Sequence, residues 1–188
     1  MLPITTCVDL LDQDVDVIVN PWNRNLIPWW LLLPKGVSGA IKKRAGYRPF
    51  IELRRHGVLP LGAAVLTSAG NLPHRGIIHV AGIGHAWTTS ETTIRRAVQN
   101  ALRLASESCF RTIAFPLIGA GNGGANADRV AAIMEEEIPA APYAGEARIV
   151  NYREHRGEKG AATDRSAPPQ SPDACAPVEL PIDGRVTP

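Results

Sequence analysis

The stretch that most restricts the fold runs from Arg111 to Gly124, Arg-Thr-Ile-Ala-Phe-Pro-Leu-Ile-Gly-Ala-Gly-Asn-Gly-Gly. A short, unbroken apolar run bounded by turn residues predicts a strand covered on both faces. A glycine-rich turn follows, and then helical spacing over about 125–138. Strand, glycine turn and helix in that order belong to a layered α/β architecture. The same order presents bare backbone N–H groups at the positive end of a helix, which is a seat for phosphate.

The remaining pattern agrees with that architecture. Residues 3–8 predict a short strand, and Val15 to Asn20 predicts a buried β-branched one that leaves through Asn20-Pro-Trp-Asn23. A long loop over 24–36 carries Pro28 and Pro34. Helices are expected from Val37 to Ala45, closed by Gly46, and at 48–56, closed by Gly57. Strands are expected from Ala63 to Ala69 and from Gly76 to Ile83, with turn chemistry at Gly70-Asn-Leu-Pro73 between them. Thr88-Thr-Ser-Glu91 resembles a capping box. It opens a helix whose apolar face is Ile94, Ala97, Val98, Ala101, Leu102 and Ala105. A last strand is expected from Ala147 to Tyr152. The fold expected is α/β, with helices on both faces of a mostly parallel sheet. In such sheets ligands sit at the carboxyl ends of strands.

After Arg153 the aliphatic pattern stops and Gly, Pro, Ser, Ala and charge take over. Residues 1–153 are therefore read as one domain and 154–188 as a disordered tail. The tail carries four basic residues against six acidic ones, a net of −2, which leaves +4 on residues 1–153 of a chain whose total is +2. That mild excess suits a small anionic ligand and gives no broad pull toward nucleic acid or membrane. Cys7, Cys109 and Cys175 are too few and too scattered for a disulfide framework or a zinc site, which favours a reducing cytoplasm. Cys109, at the end of the long helix, reads as a small core residue. The apolar run from Leu26 to Pro34 is too short to span a bilayer, and no signal peptide is visible. No metal or cofactor motif stands out.

Gly119-Ala-Gly-Asn-Gly-Gly124 has Gly-x-Gly-x-x-Gly spacing, a weak string whose value comes from the strand before it and the helix after it. Set beside Asp9, Val15-Asp-Val-Ile-Val-Asn-Pro-Trp-Asn23, Gly36-Val-Ser-Gly-Ala-Ile41 and Ile78-His-Val-Ala-Gly82, it resembles a macro domain in order and spacing over about residues 5–152. That family has a three-layer α/β/α fold and binds ADP-ribose, and some members hydrolyse bonds to it. The resemblance implies roles by position. Asp9 would accept from the adenine amino group, with Leu10 beside it. Asn20 and Asn23 would line the end of the second strand, with Asn23 meeting and orienting the distal ribose. Gly36, Val37 and Ser38 would lie along the phosphate and ribose. Ile118, Gly119, Ala120, Gly121, Asn122, Gly123 and Gly124 would wrap the diphosphate. The chemistry suits these roles: a carboxylate takes an amine donor, and glycines admit phosphate to the backbone.

Several positions depart from the family pattern. The loop after Asn23 is longer, keeps one glycine where the pattern has a run, and adds Trp29, Trp30 and Leu31 to Leu33 to Trp22. Apolar packing is the expectation for these tryptophans over a lid on the ligand. Ser38 stands where the hydrolytic branch carries a water-activating aspartate, and Gly123 where many relatives carry an aromatic. A positioned base is worth about 10²–10⁴ in rate, and serine cannot act as one unaided. The expectation is a module for ADP-ribose or for ADP-ribosylated protein or nucleic acid, without a cofactor or membrane contact. A hydrolase of mono-ADP-ribosyl-protein or O-acetyl-ADP-ribose is the alternative. An ordinary dinucleotide fold ranks last, because its acidic ribose ligand would fall near Glu137, inside a helix.

Overall fold

A computed structural model describes residues 4–6, 9–23, 36–84, 88–121 and 124–150. The elements are β1 (Ile4–Thr6), a 3₁₀ turn (Leu10–Asp12), β2 (Val17–Asn23), α1 (Gly36–Ala45), α2 (Arg48–Arg54), β3 (Ala64–Thr67), β4 (Gly76–Ile83), α3 (Glu91–Glu107), β5 (Thr112–Pro116), α4 (Ala127–Ala140) and β6 (Glu146–Val150). The proposed tail, Trp29, Trp30, Asn122 and Gly123 lie outside the described residues, as does His85.

Among the described residues six strands form one sheet in the order β1-β6-β5-β2-β4-β3. All neighbours are parallel except β3 and β4. Alternate strand residues feed two cores, as a sheet covered on both faces requires. Val17, Val19, Ile78, Val80, Ile113, Phe115 and Ile149 pack with the apolar faces of α3 and α4. Ile18, Ile77, Ala114 and Val150 pack on the other side with Ile41 and Ala45 of α1, Phe50 of α2 and Leu10 and Leu11 of the 3₁₀ turn. The three-layer α/β/α architecture expected from the sequence is present. Every apolar residue assigned to the inner face of α3 is buried.

Asp16 ties the amino ends of the two central strands. Its carboxylate accepts from the amides of Arg111 and Thr112 at 2.7 and 3.1 Å, and its own amide donates to Thr112 Oγ1 at 2.7 Å. β2 and β5 are thus fixed at one end, and their carboxyl ends carry the glycine turn and the start of α1.

Two local readings are corrected. The cap of α3 is Ser90, whose side chain accepts from the Thr93 amide at 3.2 Å, so the capping frame starts two residues later than Thr88. Thr88 instead uses its carbonyl to accept from the Gly84 amide at 2.9 Å. Cys109 is exposed and not in the core. It follows the end of α3 with φ +54°, while the Phe110 amide reaches back to the Ala105 carbonyl at 2.9 Å. This is a left-handed helix cap, where glycine is the residue without a Cβ penalty. Cys109→Gly should therefore raise stability by about 0.5–1 kcal/mol, or about 1–4 °C in Tm, read by calorimetric or dichroic melting. A fall in Tm would show that the thiol contributes more than the backbone strain costs.

Candidate functional site

The carboxyl ends of β2, β4 and β5 open on one edge of the sheet because these three strands are parallel. β5 ends at Pro116 and passes into the turn that carries Gly119 and Gly121. The Ala120 amide donates to Leu117 O at 3.3 Å, and Ala125 to Gly119 O at 3.2 Å. Gly121 has no backbone acceptor for its amide among the described residues, and a Cβ built there meets nothing within 4 Å. Gly119 differs: its φ is +84° and a Cβ would lie 2.5 Å from Thr89 Cγ2. One glycine is needed to shape the turn, and the other leaves its outer side open.

The helix after this turn begins later than the sequence suggested. α4 starts at Ala127, and its cap residue Asn126 accepts from the Arg129 amide at 3.0 Å. One of the helix's free N-terminal donors is already used by its own cap. The helix end is therefore set back from the glycine turn.

β2 brings Asn20 to the same edge. Asn20 has no exposed surface and sits between two partners. Ser38 Oγ donates to its Oδ1 at 2.7 Å, and its Nδ2 donates to His79 Nδ1 at 2.9 Å. His79 Nε2 lies 2.9 Å from Thr67 Oγ1, and Thr67 Oγ1 donates to Ser68 O at 3.1 Å. The row runs across β3, β4 and β2 to the first turn of α1. His79 is fully buried beside the edges of Phe50 and Trp22, with ring centroids 5.7 and 6.5 Å away. Burial first, and the neighbouring His56 second, push its pKa down to about 3. It is neutral at physiological pH, as its acceptor role toward Asn20 requires. Trp22 packs against this group and Phe50 at 5.8 Å, in line with the packing expected for it.

Asp9 caps the 3₁₀ turn, and its Oδ1 accepts from the Leu11 amide at 2.9 Å. Oδ2 is 3.8 Å from Arg44 Nη1, while Arg44 also bonds Asp12 at 2.6 Å. Arg44 was not singled out from the sequence, where it reads as one of three basic residues ending α1. Leu10 has no exposed surface and packs in the core beneath Asp9. Ile118 is likewise fully buried. Val37 and Ala120 are partly buried, Gly36 has φ +64° at the start of α1, and Gly124 has φ +65°. Asn23 closes β2 opposite Ile83 after a register shift, and its description stops at the backbone.

Glu137 is excluded as a ribose ligand by its partners. Buried in α4, it accepts from Arg95 Nη1 at 2.9 Å and from Gln99. It clamps α4 to α3 on the face of the sheet remote from Ser38.

The Macro domain family profile matches residues 19–134, more than half of the chain. The chain belongs to the macro domain family. An uncharacterized protein of Aquifex aeolicus is 38% identical to this macro domain over 130 residues, 69% of this chain and 76% of that protein. An O-acetyl-ADP-ribose deacetylase of Klebsiella pneumoniae is 36% identical over 138 residues, covering 70% of this chain and 76% of the relative. The Oceanobacillus iheyensis macrodomain with ADP superposes with a TM-score of 0.69 at 29% identity, over 80% of this chain and 83% of that one. A point variant of it with ADPR superposes at 0.67 and 30% identity, over 78% and 82%. Among the described residues no helix is long and apolar enough to cross a membrane.

Proposed function

We propose that this macro domain binds ADP-ribose, free or attached to protein or nucleic acid, in the cleft at the carboxyl edge of its sheet. The observation that carries this reading is Gly121, whose amide has no backbone acceptor and whose Cα has open space beyond it among the described residues, one strand away from Ser38. Strand order supports an orientation for the ligand. Asp9 follows β1 at one margin of the sheet, the glycine turn follows β5, and Ser38 lies above β2. Adenine, diphosphate and distal ribose would take those positions in turn, with Asn23 at the ribose end. The similar macrodomains solved with ADP and ADPR support a ligand of this class.

Titration calorimetry with ADP-ribose, ADP and NAD tests the reading. ADP-ribose should bind best, and no binding of ADP-ribose would refute it. Asp9→Ala should weaken all adenine nucleotides about tenfold, the loss expected for one hydrogen bond to a charged acceptor. Unchanged affinity would remove Asp9 from the site.

A second reading, hydrolysis of O-acetyl-ADP-ribose or of ADP-ribosyl bonds, is supported by the deacetylase among the relatives. Against it, Ser38 Oγ donates its proton to an amide oxygen, which cannot take that proton away. Any turnover would have to activate water without Ser38 as base. Acetate or ADP-ribose release measured against an enzyme-free control decides between the two readings. The scattered cysteines, one of them an exposed free thiol at Cys109, support a cytoplasmic setting. Composition supports residues 1–153 as the domain and 154–188 as a tail.

A further inference from the structure

The buried row Thr67–His79–Asn20–Ser38 has a direction. The contact between Ser38 Oγ and Asn20 Oδ1 is 2.7 Å, the length of an O–H···O bond, and that between Asn20 Nδ2 and His79 Nδ1 is 2.9 Å, the length expected with an amide donor. With Nδ1 accepting, a neutral His79 carries its proton on Nε2 and donates to Thr67 Oγ1. Thr67 then passes its own proton to Ser68 O at 3.1 Å. Every member donates away from the cleft. Ser38, half-buried in the first turn of α1, is left with its lone pairs toward the cleft and its proton committed inward.

A group with only lone pairs to offer repels another acceptor and welcomes a donor. A diphosphate near neutral pH has acceptors alone, whereas a sugar offers hydroxyl donors. The strand order above puts Ser38 on the side of the glycine turn opposite Asp9. Resting on the ADP-ribose reading, we propose that Thr67 and His79, which touch no ligand, are positioning residues that lock Ser38 as an acceptor for a hydroxyl of the second ribose. The row thereby sets the preference of the cleft for ADP-ribose over ADP. His79 suits this because burial keeps it in one charge state, so its two nitrogens hold fixed and opposite roles. Sequence reading took His79 for an ordinary buried histidine, and no pattern in the chain links it to Ser38, 41 positions away.

Calorimetric titration of ADP-ribose and ADP separately into the full chain tests the inference. Ser38→Ala and Thr67→Val should each lower ADP-ribose affinity about five- to tenfold and leave ADP affinity within twofold, because ADP lacks the second ribose. The double variant should be no weaker than either single one, since both remove the same bond. Thr67→Ser, which keeps the hydroxyl, should restore the wild-type ratio of the two affinities. A role in folding alone would lower the melting temperature of Thr67→Val without changing that ratio, and such a result overturns the proposal. So does a Ser38→Ala protein, whose partly exposed site tolerates truncation, that keeps the wild-type preference. Wild-type protein that binds ADP but does not prefer ADP-ribose also overturns the proposal. Binding of neither ligand overturns the ADP-ribose reading itself, and the inference falls with it.

Discussion

Gly121→Val should abolish tight ADP-ribose binding, by 100-fold or more, while the protein melts within about 2 °C of wild type. The two halves of this expectation come from different observations. A Cβ at Gly121 meets no atom of the described residues within 4 Å, and its backbone is outside the left-handed region, so the described fold has room for the new side chain. On the proposed reading, the space it fills is next to the Gly121 amide, where a phosphate would sit. Two methyl groups there force the phosphate out of hydrogen-bond range of the turn, and a 100-fold loss corresponds to about 2.7 kcal/mol. Gly119→Ala is the contrasting control. Its φ of +84° and the 2.5 Å approach to Thr89 Cγ2 make that change costly to the fold. It should therefore lower the melting temperature by several degrees. Isothermal titration beside thermal melting separates the two glycines. Wild-type affinity in Gly121→Val would move the phosphate seat away from this turn.

The difference between those two glycines was not legible in the sequence, where both are members of one spacing motif. Spacing announces a turn after a strand. It does not say which glycine bends the chain and which faces open space, because that depends on Thr89, a residue 30 positions earlier that the fold brings alongside. The layers themselves were legible, since period-2 and period-3.6 apolar patterns report burial directly. The inner face of α3 and the strand runs at 76–83 and 111–117 are examples. Local polar geometry was less so. Ser90 caps α3 where Thr88 also fits the motif, since a threonine or serine at either position can reach a free amide and only the backbone angles choose. Cys109 looked like core because it ends an amphipathic helix, but the chain turns left-handed at that residue and points it outward.

The site shows the same division. Asp9, Asn20 and the glycine turn stood out in the sequence because they fall in short local motifs. Arg44 and the Thr67–His79 pair were not, because they act across 35, 12 and 59 positions of chain through contacts only the fold creates. Asn20 was expected on the ligand; its side chain is fully enclosed and bonded to Ser38 and His79. Membership of a motif thus singled a residue out without assigning its contacts.

His79 makes the fold acid-sensitive. Its pKa is about 3 in the native state, pushed down by burial and by His56, against about 6.5 in an unfolded chain. Protons therefore bind the unfolded state preferentially between those values. The stability that depends on neutral His79 is fully present above pH 6.5 and is lost as pH falls toward 3, at up to about 1.4 kcal/mol per pH unit for one proton. His56, itself lowered by burial, adds to the same limb, whereas the exposed Glu91 carboxylate is held down by Arg95 and Arg129 and acts only below its ordinary range near 4.5. The window from pH 6.5 to 5 thus belongs to the histidines. Urea unfolding across that window should give a falling free energy for the wild type and a flatter line for His79→Gln, whatever the variant's absolute stability. His56→Gln should flatten the line less, because His56 is the more exposed of the two. Parallel lines for wild type and His79→Gln would mean that His79 titrates in the native state as it does in the unfolded chain, against the downward shift that burial produces. A protonated ring cannot accept from Asn20, so that result would also break the row that ends at Ser38 in the acid part of the window.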